Sequence, residues 1–169
     1  MQVSDEDREV VAELLGRRPE GDFEVVVRDD TGTPRVIRNA PIQYSGRPMP
    51  TLYWLVSERD RLVVSRLESS GYVDIVEAEV DADALDAAHR RYEAERDSLI
   101  PDDFEGHRPS NGVAGTRVGV KCLHAHYAYH LAGGDDPVGQ WVADRLAIDP
   151  EGDGSGLPPD APRTDREKP

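Results

Sequence analysis

The chain has 169 residues, 37% hydrophobic and 32% charged, and a formal net charge of -14. That length suits one domain with a buried core, and the charge excludes nonspecific binding to nucleic acid or an anionic membrane, since both need a basic footprint. No stretch reaches the roughly 20 apolar residues of a spanning helix, and the start Met1-Gln2-Val3-Ser4-Asp5-Glu6-Asp7 lacks the features of a secretory signal. A single cysteine, Cys122, excludes an internal disulfide, and the expected location is the cytoplasm.

In chain order, Asp5 to Leu15 predicts a helix, with Ser4 as cap, an acidic first turn and a stripe of Val10, Val11, Leu14 and Leu15 before Gly16. Phe23–Arg28 and Arg35–Arg38 predict a hairpin around the turn residues Asp29 to Pro34. Thr51–Val56 predicts a third strand, whose Tyr53 and Trp54 serve either the core or an aromatic ligand wall. Ser57 caps a helix running to Ser69, in which Arg66 either reaches an anion or forms a surface salt bridge, and Gly71 breaks it. Tyr72–Val80 fits both periods, with helix preferred.

Asp81 or Asp83 caps a helix over Ala84–Leu99, ended by Pro101, and Pro101–Gly119 reads as an irregular loop. Val120–Leu131 predicts the next helix, stopped by Gly133 and Gly134, and Asp136 with Pro137 opens a last one to Leu146. From Asp149 onward Pro, Gly and Asp predict a disordered acidic tail. The expected fold class is α+β: a small antiparallel sheet of about three strands packed by four to six helices, with residues 1–148 as one domain and 149–169 as the tail.

Although Asp and Glu number 34 in the whole chain, none occurs between Gly106 and Gly134. This window holds Arg108, Arg117, Lys121 and four of the five histidines, His107, His124, His126 and His130. A positive, glycine-rich segment on an acidic protein suits an anion. Gly115 and Thr116 lie in a loop able to curl its amides around one, the following helix offers its N-terminal N–H groups, and Arg117 and Lys121 add charge. Gly-x4-Gly-Lys-Ser/Thr is absent, so this is no P-loop. The alternative is a glycine loop lying flat on the core.

Cys122-x-His124-x-His126-x3-His130 also admits a metal. On a helix at about 100° per residue, His126 and His130 share the Cys122 face, and His124 falls about 160° away. Four ligands on one ion are therefore excluded, and Cys122, His126 and His130 would need a further ligand such as His107. A thiolate nucleophile at Cys122, near a helix N-terminus with a histidine base, is the third possibility; a semi-buried packing thiol is the plain one. Gly-x-Ser-x-Gly is absent, and His126 is not followed by Glu as a metalloprotease helix requires.

Arg28, Gly32-Thr33-Pro34, Pro50-Thr51-Leu52-Tyr53-Trp54-Leu55, Ser65-Arg66-Leu67-Glu68, Val120-Lys121-Cys122-Leu123-His124 and Pro137-Val138-Gly139 stand in an order and spacing that together carry a likeness. Over about residues 5–147 the chain resembles a bacterial, largely actinobacterial family, domain of unknown function 501. The family has no established activity. Its members are encoded near genes for enolase, a small cell-division protein and an exopolyphosphatase, so the resemblance implies a phosphorylated ligand or a cell-division partner. Some members carry cysteine where this chain has Asp29, and Cys or His near Ser57. This departure puts a shared metal site in doubt and leaves Lys121, Cys122 and His124 as the residues that carry over.

The expected function is binding of an anionic, phosphate-type small ligand, a phosphorylated metabolite or polyphosphate, at Gly115, Thr116, Arg117 and Lys121. Cys122 and His124 are the catalytic candidates if turnover occurs. The alternatives are a noncatalytic module docking a protein partner, and a zinc or iron protein or Cys/His-dependent enzyme.

Overall fold

The computed structural model describes residues 3–156. Helix α1 (Asp5–Leu15) begins where Ser4 Oγ accepts the Asp7 N–H at 3.0 Å and ends at Gly16, whose φ of 70° suits a residue without a side chain. Strands β1 (Phe23–Arg28), β2 (Pro34–Asn39) and β3 (Tyr53–Leu55) form one antiparallel sheet in that order. Asp29 organises the first hairpin turn, its Oδ1 accepting the Thr31 and Thr33 N–H groups at 2.9 Å each.

Neighbouring residues of β2 serve opposite faces, as strand geometry demands. Ile37 joins Val11, Phe23 and Val56 beneath α1, whereas Val36 joins Leu52, Leu67, Tyr92 and Leu123 in the larger core. That core is covered by α2 (Glu58–Ser69), α3 (Tyr72–Glu79), α4 (Ala82–Asp97), α5 (Leu123–Leu131) and α6 (Pro137–Ile148). Six α-helices and a three-stranded antiparallel sheet among the described residues make the domain α+β. The ambiguous Tyr72 segment is helical, with Tyr72 and Val76 buried one turn apart. Ser57, Asp81 and Asp136 cap α2, α4 and α6 through their own side chains.

Helix α5 departs from expectation. It begins at Leu123 instead of Val120, and Cys122 at its N-cap is extended, with φ -155°, ψ 118° and no side-chain cap bond. The loop before it is irregular but fixed, with one 3-10 turn over Val113–Gly115. Arg96, 0% exposed, donates through its guanidinium to the Pro109, Ser110 and Asn111 carbonyls. Residues 149–156, expected in the tail, form turns on the domain: Asp149 is buried and accepts the Gly154 N–H at 2.8 Å. Glu151 takes ion pairs from Arg59 and Arg66, so Arg66 makes the surface salt bridge. Residues 157–169 of the expected tail lie outside the described residues. No helix among the described residues is long and apolar enough to cross a membrane.

Candidate functional site

The short α5 has no Ser, Thr, Asp or Asn of its own to cap it, and the cap comes from α2. Glu68 Oε1 accepts the Leu123 N–H at 2.7 Å. Upstream, Glu77 Oε2 of α3 accepts the Val120 N–H at 2.6 Å. Two carboxylates from outside the acid-free segment therefore occupy the amides that an anion would have used.

The extended Cys122 backbone turns its thiol towards His124. Sγ lies 3.8 Å from His124 Nδ1, and Glu68 Oε1 lies 3.1 Å from that same nitrogen. The three ligand atoms fall within 4.8 Å of one another. On the far side of the ring, Nε2 is 3.1 Å from the Arg61 carbonyl and 3.1 Å from Ser65 Oγ. A carbonyl only accepts, so Nε2 carries a hydrogen, and Nδ1 holds either a second proton or a free lone pair. Burial works against charge on His124, but hydrogen bonds and Coulombic attraction from Cys122 and Glu68 prevail and push it up to about 10. For Glu68 burial acts upwards, and the His124 and Leu123 contacts overcome it, leaving the carboxyl below its ordinary value.

Cys122 and His124 form part of a cleft of about 450 Å³ between β3 and the start of α5. Trp54 and Leu55 line its sheet side, and Arg17, Arg61 and Lys121 supply charge. No Asp or Glu occurs among the described residues that line it. The Arg17 guanidinium lies 5.0 Å from the Trp54 ring centroid, and Arg61 donates to the Leu14 carbonyl at 2.7 Å. Lys121 and Ala114 also border a neighbouring groove of about 240 Å³, which takes in His107, Arg108 and Gly115 and again no carboxylate. A larger depression, about 670 Å³, lies beside α1; its Asp5, Arg8, Glu9 and Arg18 mix charges of both signs, and it contains neither Cys nor His.

The structure thus brings Lys121, Cys122 and His124 together in one cleft, sets Gly115 and His107 beside Lys121 in the neighbouring groove, and leaves Thr116, Arg117, His126 and His130 out of both. Arg117 Nε donates to Asn111 Oδ1 at 2.6 Å, Thr116 Oγ1 donates to the Val118 carbonyl at 2.9 Å, and the Gly115 N–H donates to the Gly112 carbonyl at 3.0 Å. These bonds close the loop on itself. The expected grouping of Cys122 with His126 and His130 is reversed, because Cys122 stands outside the helix and the wheel does not apply to it. His126 is fully buried and its Nδ1–H donates to Asp136 Oδ2 at 2.7 Å, while His130 packs against Gly139 and His107 lines the second groove. Glu68, Ser65, Arg17 and Arg61 were not singled out as site residues by sequence reasoning. Two signals were available: the missing local cap for α5, and the segment Ser65-Arg66-Leu67-Glu68 among those that carry the family likeness.

The fold and site define a class: an α+β domain with a Cys–His–carboxylate cluster at a cationic cleft. The chain belongs to the family described as "Protein of unknown function (DUF501)", whose model matches residues 25–144, well over half of it. No curated protein and no solved structure matches the chain.

Proposed function

We propose that the protein binds an anionic, phosphate-type small ligand in the cleft between β3 and the entrance to α5. The observation that carries this reading is a lining with Arg17, Arg61 and Lys121 and, among the described residues, no carboxylate, in a chain of net charge -14. Such an arrangement concentrates positive potential in one concavity. Arginine can grip a phosphate with two parallel N–H bonds, and lysine acts as a point charge beside it. The Val120 and Leu123 amides are held by Glu77 and Glu68, so side chains carry the recognition. Trp54 offers a flat face for a ring attached to the anion, and a longer anion continues past Lys121 towards Arg108 and His107.

Thermal-shift measurements with inorganic phosphate, pyrophosphate, nucleotides and sugar phosphates test the proposal. At least one class is expected to stabilise the protein, with the effect reduced in both Lys121→Ala and Arg17→Ala. Stabilisation by none of them, or an effect unchanged in both variants, overturns it.

A second reading, thiol-dependent turnover of that ligand, is favoured by the 3.8 Å contact between Cys122 Sγ and His124 Nδ1 at the cleft. Turnover of a bound compound that Cys122→Ser abolishes while binding persists would establish it; turnover unchanged in that variant would end it.

A further inference from the structure

Three different donors converge from two elements: the Glu68 carboxylate of α2, the Cys122 thiol and His124 Nδ1 at the start of α5. We infer that Glu68, Cys122 and His124 form a metal site for a divalent transition metal, zinc above all, with three protein ligands and a fourth position for water or a ligand of the cleft. This goes beyond anion binding and does not rest on it.

The donor set is the first argument. Thiolate, imidazole and carboxylate are the ligand types zinc takes, and three of them plus an open position is the pattern of catalytic zinc. Separations of 3.1 Å between Nδ1 and Oε1 and 3.8 Å between Nδ1 and Sγ are those of donors grouped around one small ion. A thiolate and a carboxylate neutralise the dication, so the cluster is suited to a charge at its centre.

The histidine supplies a second, independent observation. Metal-bound histidines fix their tautomer by donating the other ring N–H to a carbonyl or carboxylate. His124 does this through Nε2–H to the Arg61 carbonyl, with Ser65 Oγ beside it, and so aims Nδ1 at Glu68 and Cys122. Without metal a proton on Nδ1 bridges to the carboxylate, and a bound cation takes that proton's place. Glu68 is oriented in turn by the Leu123 N–H. On binding, the Nδ1 proton of His124 and the Cys122 S–H proton leave to solvent, His124 binds as the neutral ring, and no electrons are transferred.

The full chain, purified without a histidine tag, is analysed for bound metal, and after chelation it is titrated with Co²⁺. Cys122 is the single cysteine, so a thiolate-to-cobalt absorption band reports this site alone. One metal per chain is expected, with a cobalt band that Zn²⁺ bleaches and Cys122→Ser removes. Glu68→Gln and Ser65→Ala should weaken Co²⁺ binding by about 10-fold or more, with circular dichroism showing that both still fold. Wild-type protein gives an answer even if every variant misfolds: Zn²⁺ should slow alkylation of Cys122 by iodoacetamide by at least about tenfold, because a coordinated thiolate is a poorer nucleophile. No bound metal and no thiolate–cobalt band overturns the assignment. So does Co²⁺ affinity unaltered by Glu68→Gln, or alkylation indifferent to Zn²⁺. Phosphate binding by chelated protein tests the anion proposal separately, so either idea can fail alone.

Discussion

Glu68 of α2 accepts the backbone N–H of Leu123 at 2.7 Å, and with that one bond a carboxylate from one helix starts another. The same oxygen lies 3.1 Å from His124 Nδ1. Folding of the loop into α5 and assembly of the Cys122–His124 pair therefore share a group. Placement of the site is not separable from the packing of α2 on α5, so mutations there alter stability and chemistry together.

Replacing Glu68 separates the two roles. Glu68→Ala removes the side-chain acceptor of the Leu123 N–H at the start of α5, and the expected loss is about 1 kcal/mol, typical of a missing N-cap acceptor. Glu68→Gln keeps an oxygen for the Leu123 N–H and should lose less. Urea unfolding of chelated protein measures both as shifts in midpoint at constant slope. If the alanine variant unfolds at the wild-type midpoint, the cap has no energetic weight.

Gly119 is constrained twice. Its φ is 68°, and a Cβ there would stand 2.7 Å from Glu77 Oε2, the oxygen that receives the Val120 N–H. Gly119→Ala combines left-handed strain of about 1–2 kcal/mol with displacement of that carboxylate. Gly133, at φ 92° with nothing within 4 Å of a Cβ, incurs the strain alone. The melting temperature should therefore fall further in Gly119→Ala than in Gly133→Ala; equal falls would mean that the Glu77 contact contributes nothing.

The elements were legible where their determinants are local. Ser4, Ser57 and Asp136 mark helix starts through bonds to amides three residues on, and the bounds of α1 follow from Ser4 and Gly16. The site was half legible. Lys121, Cys122 and His124 stand out by charge and chemistry, but which of them meet depends on where α5 begins. That start is set by Glu68, more than fifty residues earlier in the chain, and no periodicity in the Val120 segment encodes it. For the same reason the wheel placed Cys122 with His126, which in the structure is committed to Asp136. Arg17 and Arg61 reach the cleft through tertiary packing and have no local signature.

Arg96 should decide whether the loop of residues 101–119 stays on the domain. Its buried guanidinium serves the carbonyls of Pro109, Ser110 and Asn111 and pairs with Asp97 at 2.8 Å. Arg96→Ala leaves those carbonyls without their shared donor, and the expected loss is about 1–3 kcal/mol. Arg96→Lys should restore little, since a single ammonium cannot span a planar fork's positions. Trypsin cleavage after the exposed Arg117 gives a local readout: it should quicken in both variants, and cleavage at the wild-type rate would show that the loop is held by other contacts.

His89 makes the same loop sensitive to acid. The ring is buried, Nδ1 accepts the Val113 N–H at 3.1 Å, and Nε2–H donates to the Gly119 carbonyl at 3.1 Å. The Val113 bond needs the neutral ring, because a proton on Nδ1 would face the Val113 N–H. Burial accordingly holds His89 below its ordinary value, assisted by His126, against the opposing pull of the Gly119 carbonyl and of Asp136 and Asp86. In the unfolded chain the ring titrates at the ordinary 6.5. Above that pH neither state is protonated and the stabilisation is complete. As pH falls through 6.5 the unfolded chain takes up a proton that the folded one refuses, and stability declines until the lower folded-state value is passed. His89→Gln supplies a donor and an acceptor that do not titrate. The stability difference between wild type and this variant should therefore shift against wild type from about pH 7 to about pH 5. A difference that stays constant across that range would place the acid sensitivity of the loop elsewhere.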